Sequence, residues 1–255
     1  MACSFAHRCV MNGSNQGARQ GPGPTERKGA AMLDDDFARQ RRNMIDSQVR
    51  PGGVMDLRVI AAMASVPREK FVLAEQRAHA YVDTDLPLGA DTRGDDRWLL
   101  APLTIARMLQ LAEIGPEECV LDVGTASGYT AAALSGLAQT VIGIDHDAVL
   151  AAQAAERLEK LGYDNVAVLA ADHAAGHVKE APYDAIIING RIRQRPQALL
   201  AQLADGGRLV AVWGAHDTGL IRVWTRRGDA FSAVDEYSAS APQLPGFTPA
   251  PAFSF

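Results

Sequence analysis

The chain has 255 residues, 47% of them hydrophobic and 22% charged, with a formal net charge of −5. That is enough for one sizeable α/β domain with an extension, and it is the composition of a soluble globular protein. Residues 1–50 carry eight Lys/Arg against five Asp/Glu, leaving seventeen against twenty-five for the remainder, and so acidic a body argues against nucleic acid as a partner. No apolar run reaches membrane-spanning length, which argues against a membrane partner, and the first eight residues lack the apolar core of a secretion signal, so the expected location is cytoplasmic. Cys3, Cys9 and Cys119 have neither metal-ligand nor disulfide spacing, and no metal is expected.

In chain order, residues 1–33 are rich in Gly, Asn, Gln and Ser without apolar periodicity and are expected to form a disordered tail. Asp34 to Arg50 reads as a charged helix with a thin apolar stripe of Phe37, Met44, Ile45 and Val49, ended by Pro51-Gly52-Gly53. Its Arg39, Arg41 and Arg42 read as a solvated face. Asp56 is placed to cap a second helix whose Val59, Ile60 and Met63 point inward before Val66-Pro67-Arg68 breaks it. A third helix is expected from about Pro102 to Glu113, completing an N-terminal helical extension with an acceptor-side loop over residues 34–115.

Residues 116–240 alternate strand and helix, the pattern of a parallel sheet covered on both faces. Val120-Leu121-Asp122-Val123 reads as a buried strand running into Gly124-Thr125-Ala126-Ser127-Gly128 and then a helix from Tyr129. The next strand, Thr140 to Ile144, ends on Asp145, followed by His146, and a third, Asn165 to Ala170, delivers Asp172 and His173. Tyr183 to Ile188 and Arg208 to Trp213 supply two more strands. Ile221 to Thr225 and Phe231 to Tyr237 then flank Arg226-Arg227-Gly228-Asp229, so the sheet is expected to finish with an antiparallel pair. Trp213 and Trp224 occupy strand patterns and read as core, and residues 241–255 form a Pro-rich tail.

A glycine turn between strand and helix is a frequent device for tight packing, but acids at three successive strand ends add a chemistry. Gly124 and Gly128 permit close backbone approach, and the N–H groups of the opening helix form an electropositive rim. Asp145 stands where an acid takes two ribose hydroxyls, and Asp172 is positioned to accept from an adenine amino group. A dinucleotide fits poorly, because Ala126 crowds the approach of a pyrophosphate and Asp122 would repel it. S-adenosylmethionine, with a positive amino group and sulfonium, fits both facts. The candidate cofactor residues are therefore Asp122, Gly124, Thr125, Ser127, Gly128, Tyr129, Asp145, His146, Asp172 and His173. An NAD-dependent oxidoreductase stays as a weaker alternative.

Together these residues resemble the class I methyltransferase fold and, more narrowly, the protein-L-isoaspartate O-methyltransferase family. The similarity runs from about Met44 to Tyr237. It includes Met44-Ile45-Asp46-Ser47-Gln48-Val49-Arg50-Pro51, Val66-Pro67-Arg68-Glu69-Lys70-Phe71-Val72, Leu86-Pro87-Leu88-Gly89, Val120 to Thr130, Ala181-Pro182-Tyr183-Asp184 and Gly206-Gly207-Arg208-Leu209-Val210. The resemblance implies a Rossmann-like, mostly parallel doubly wound sheet, S-adenosyl-L-methionine as cofactor, and a protein or peptide carboxylate as methyl acceptor. There is one departure. Where the family has a Gln-Thr-Ile-Ser-Gln-Pro motif for the acceptor, Gly89 leads instead through Ala90 to Ala101, placing Leu100 at the family's serine and Trp98 at its threonine when Pro102 is aligned.

Methyl transfer to a carboxylate is in-line displacement onto an acceptor already ionised at pH 7, so no general base is needed and catalysis reduces to orientation and electrostatics. In place of the missing hydroxyls, Arg97 and Thr92 are the candidate catalytic residues, and Arg93, Arg191, Arg193 and Arg195 are further guanidinium groups able to grip a carboxylate. Two alternatives remain: a relative with another acceptor, and a catalytically silent S-adenosylmethionine-binding or partner-binding module.

Overall fold

The computed structural model describes residues 24–247. Helix α1 spans Pro24–Met44 and runs into one π-helical turn, Ile45–Val49. The helix thus begins ten residues before the expected boundary at Asp34, a correction to the proposed tail; residues 1–23 lie outside the described residues. Helix α2, Leu57–Ser65, starts where its cap predicts: Asp56 accepts from the N–H groups of Arg58 (2.7 Å) and Val59 (3.4 Å).

The acceptor-side loop is a second correction. Residues 86–99 form a β-hairpin of β1 (Leu86–Ala90) and β2 (Asp96–Leu99), paired antiparallel with Leu86 opposite Leu99 and Ala90 opposite Asp96. Its tip is closed by Asp91, whose carboxylate accepts from the N–H groups of Arg93 (2.9 Å) and Asp95 (3.0 Å). Helix α3, Pro102–Ala112, follows.

The main sheet has seven strands: β3 (Cys119–Val123), β4 (Thr140–Asp145), β5 (Val166–Ala170), β6 (Tyr183–Ile192), β7 (Leu203–Trp213), β8 (Thr218–Arg227) and β9 (Ala230–Ser240). Their spatial order is β5-β4-β3-β6-β7-β8-β9. The first five are mutually parallel and the last two antiparallel, as expected. Helices α4 (Tyr129–Ser135), α5 (Ala148–Lys160) and the short α6 (Gln197–Leu200) make the crossovers. The two-residue period of the central strands splits their apolar side chains between two cores. Val120, Val141, Ala185 and Ile187 join the helices α2, α3 and α4, whereas Leu121, Ile142, Ile186 and Leu209 form the opposite layer. Trp224 is buried in that second layer, with Trp213 edge-on to it at 5.7 Å.

The order reverses at β3, which opens a crevice at the carboxyl ends of β3 and β6. The segment after β9 returns to that crevice. The Arg191 N–H donates to the Pro242 carbonyl (2.8 Å) and the Leu244 N–H to the Arg191 carbonyl (2.9 Å), while Ala241, Leu244 and Phe247 are buried. If Phe247, 1% exposed, is part of the core, Phe247→Ala should cost about 3–5 kcal/mol in chemical denaturation. A loss under about 1 kcal/mol would mean that the segment only rests on the surface.

Candidate functional site

At the crevice, β3 ends in Gly124 with φ of 74°, and Ala126 and Gly128 also take left-handed backbone, φ 48° and 92°. This sequence of turns lets the amides of Gly124 and Thr125 both donate to the Ile144 carbonyl, and it starts α4 at Tyr129. Asp122 sits one residue inside the strand end and is fully buried. Its Oδ1 accepts from Asn189 Nδ2 at 2.7 Å, while Oδ2 is buried with no partner. Burial pushes its carboxyl up to about 7, against the opposing pull of its hydrogen bond from Asn189. Ser127 Oγ and Asn189 Oδ1 are likewise buried without partners. Three unmet polar atoms around one glycine turn mark a place built to meet a polar ligand.

Asp145 is fully buried at the end of β4 and is saturated. Arg97, from β2, grips it with two hydrogen bonds of 2.7 Å, and the amides of Ala126 (2.9 Å) and Asp147 (3.1 Å) also donate to it. Burial opposes the charge, but the paired Arg97 guanidinium and the two donating amides outweigh it and hold Asp145 well below the usual carboxylate range. His173 is buried and accepts from the His146 amide at 3.0 Å through Nε2. Its Nδ1 lies 3.0 Å from the Pro245 carbonyl, and the two histidine rings stack at 4.4 Å. This arrangement assigns the proton to Nδ1 and leaves Nε2, 3.6 Å from Asp145, with no proton to give it.

Several expected roles are relocated. Arg97 does not face an acceptor: it is 3% exposed and both guanidinium arms are spent on Asp145, with Asp91 a further 3.7 Å away. Thr92 is committed to α5: its amide (2.6 Å) and its hydroxyl both donate to Asp147, whose other oxygen caps that helix through the Val149 and Leu150 amides. Asp172 is exposed and turned to the Ala175 amide (2.9 Å), and His146 Nε2 is bound to Asp91 at 2.5 Å. Tyr129 is fully buried beneath the Arg68 guanidinium, on the side of the helices rather than the crevice. Arg191 anchors the C-terminal segment through the Ala241 carbonyl (3.1 Å) and Asp217 (3.2 Å).

Two site residues escaped the sequence reading. Asn189 lies inside β6, as the first polar residue after Ile186-Ile187-Ile188 and just past the last residue paired with β3; the polar interruption of that apolar run is the signal that could have found it. Leu244 lies in a Pro-flanked segment with no periodic signal, and nothing short of tertiary structure places it.

The strand order, the reversal at β3 and the glycine turn define the class I methyltransferase kind of Rossmann-like fold. The chain matches the family described as protein-L-isoaspartate(D-aspartate) O-methyltransferase over residues 39–240. It is 43% identical over 181 residues to the protein-L-isoaspartate O-methyltransferase of Koribacter versatilis, covering 71% of this chain and 79% of that one. It is also 43% identical over 192 residues to that of Herpetosiphon aurantiacus, covering 75% and 84%. Among solved structures, a protein-L-isoaspartate O-methyltransferase superposes with a TM-score of 0.71 at 20% identity, over 81% of this chain and 66% of that one. A Plasmodium falciparum beta-aspartate methyltransferase in complex with S-adenosyl-L-homocysteine superposes at 0.66, also at 20% identity, over 80% and 97%. This chain belongs to the protein-L-isoaspartate(D-aspartate) O-methyltransferase family.

Because the folded state holds the Asp122 proton up to about pH 7 and the unfolded chain releases it near 3.8, the folded form binds more protons between those values. Asp122 therefore subtracts stability as pH rises from about 4 to 7. Asp122→Asn keeps the shape and the Asn189 bond without the charge. It should be more stable than the parent at pH 8 by on the order of 1 kcal/mol or more, and equal to it near pH 4, in urea melts. A difference independent of pH would show that Asp122 ionises freely.

Proposed function

We propose that the protein is an S-adenosyl-L-methionine-dependent O-methyltransferase that esterifies the carboxylate of isoaspartyl residues in damaged proteins or peptides, a repair activity exercised in the cytoplasm. The observation that carries the reading is the buried, unpartnered oxygen of Asp122 beside the glycine turn, within the residues that match the family. When bound, the cofactor supplies an electrophilic sulfonium methyl.

The donor set fits that group. Asp122 Oδ2 is a buried acceptor for a cationic amine, and Asn189 holds the other carboxylate oxygen so that only one is presented. Ser127 Oγ, unpartnered in the turn, is a ready contact for a carboxylate or hydroxyl. Asp145 would take ribose hydroxyls on release of Arg97, and the buried His173 would bound the adenine end. The isoaspartyl carboxylate is ionised at neutral pH, so this chain's residues have only to exclude water and set the attack angle. Trp98, half-buried at the crevice mouth in place of the family's hydroxyl residue, supports a second reading, an acceptor with a larger apolar neighbour than isoaspartate.

Incubation with methyl-labelled cofactor and matched isoaspartyl and aspartyl peptides tests the proposal. A base-labile ester is expected on the isoaspartyl peptide alone, reduced at least 100-fold in Asp122→Ala. Esterification of neither peptide by protein that still binds S-adenosyl-L-homocysteine would reject isoaspartate as acceptor.

A further inference from the structure

The space over the glycine turn is taken by the chain itself. A Cβ placed on Gly124 would lie 2.7 Å from Leu244 Cδ1, and one on Gly190 would lie 2.8 Å from Leu244 Cβ. The Leu244 side chain, 3% exposed, therefore fills the ground that bare glycines at the ends of β3 and β6 leave open. One residue further, the Pro245 carbonyl bonds the His173 ring at the adenine end, and Gly246 lies against the same residue. From the other side, Arg97 occupies both oxygens of the ribose acid. Beneath this cover, Asp122 Oδ2 and Ser127 Oγ stay unpartnered. The covering groups meet the glycines and the acid but leave the polar floor unsatisfied, which is the mark of a substitute occupant and not of a completed core.

We propose that residues 242–246, with Leu244 as plug and Arg97 as counter-ion, form an intramolecular strap that closes the cofactor crevice and competes with the nucleoside for it. The inference rests on the assignment of this crevice to S-adenosyl-L-methionine. The strap is anchored at both ends by buried Ala241 and Phe247. Between them it is held by two prolines, by glycine at φ 93° and by few backbone bonds: Leu244 to Arg191, and Arg191 to Pro242. Its middle can lift while its ends stay packed. Lifting exposes Leu244 and opens the turn, and Arg97, which belongs to the hairpin, must leave Asp145 as well, so the binding-competent form is a minority and the apparent affinity falls by its fraction.

The full chain, Leu244→Ala and Arg97→Gln are titrated with S-adenosyl-L-homocysteine by calorimetry, after thermal melts show each variant folded. The strap predicts that the parent binds weakly and that each variant binds about tenfold more tightly, because one change removes the plug and the other frees the ribose acid. Equal affinity for parent and both variants would overturn the strap while leaving the crevice a cofactor site. Absence of binding by parent and variants alike would overturn both. If either variant fails to fold, the comparison of the parent with the other decides.

Discussion

The buried bidentate pair between Arg97 and Asp145 is the interaction on which the rest of this structure converges. Asp145 ends β4, Arg97 comes from the hairpin β1–β2, and the same carboxylate receives the amides of Ala126 in the glycine turn and Asp147 at the start of α5. Four pieces of chain are thus fixed to two oxygens. Removing one partner of such a pair leaves a buried charge unmet, typically at a cost of about 3–5 kcal/mol, so the hairpin is docked as firmly as a core element. The Thr92 contacts to Asp147 and the Asp91–His146 bond hold its tip against the same helix end.

That arrangement sets two demands against each other. Under the proposed function a nucleoside would use Asp145 for its ribose, whereas the folded chain uses Asp145 to hold its own hairpin. The glycine turn presents amides and a bare backbone, and the chain's own Leu244 lies over it. The leucine sits on a segment with few backbone bonds, whereas the guanidinium belongs to a buried bidentate pair whose release requires a ligand to meet the Asp145 carboxylate in its place. The unmet Asp122 and Ser127 oxygens beneath them keep a standing preference for a polar ligand.

Much of this was legible in the sequence, because strands buried on both faces are written as unbroken apolar runs and because acids at strand ends stand out against them. The order from β3 to β7, the closing antiparallel pair, the Asp56 cap and the placing of Asp122, Gly124, Ser127 and Asp145 at one crevice all follow from those local signals. What local pattern does not encode is which long-range partner a side chain chooses. Arg97 read as a free guanidinium, yet the acid 48 residues further on claims it. Thr92 read as a replacement hydroxyl and serves a helix end. The segment from Gly89 to Ala101 reads as a rebuilt loop because Gly94 and the Asp-rich tip hide a two-residue alternation, and the hairpin over residues 86–99 emerges only through its pairing. Leu244 carried no signal at all; its role depends on a segment returning across the sheet after β9.

The strap and the nucleoside should exclude one another, and amide hydrogen exchange across residues 241–247 and 189–192 reads this directly. In the free protein the Leu244 and Arg191 amides, bonded to Arg191 and Pro242, should exchange slowly. Saturation with S-adenosyl-L-homocysteine should speed exchange at both while slowing it at the amides of residues 125–129. Unchanged protection of Leu244 and Arg191 in protein whose glycine turn has become protected would show that strap and ligand occupy the crevice together, and would contradict the account.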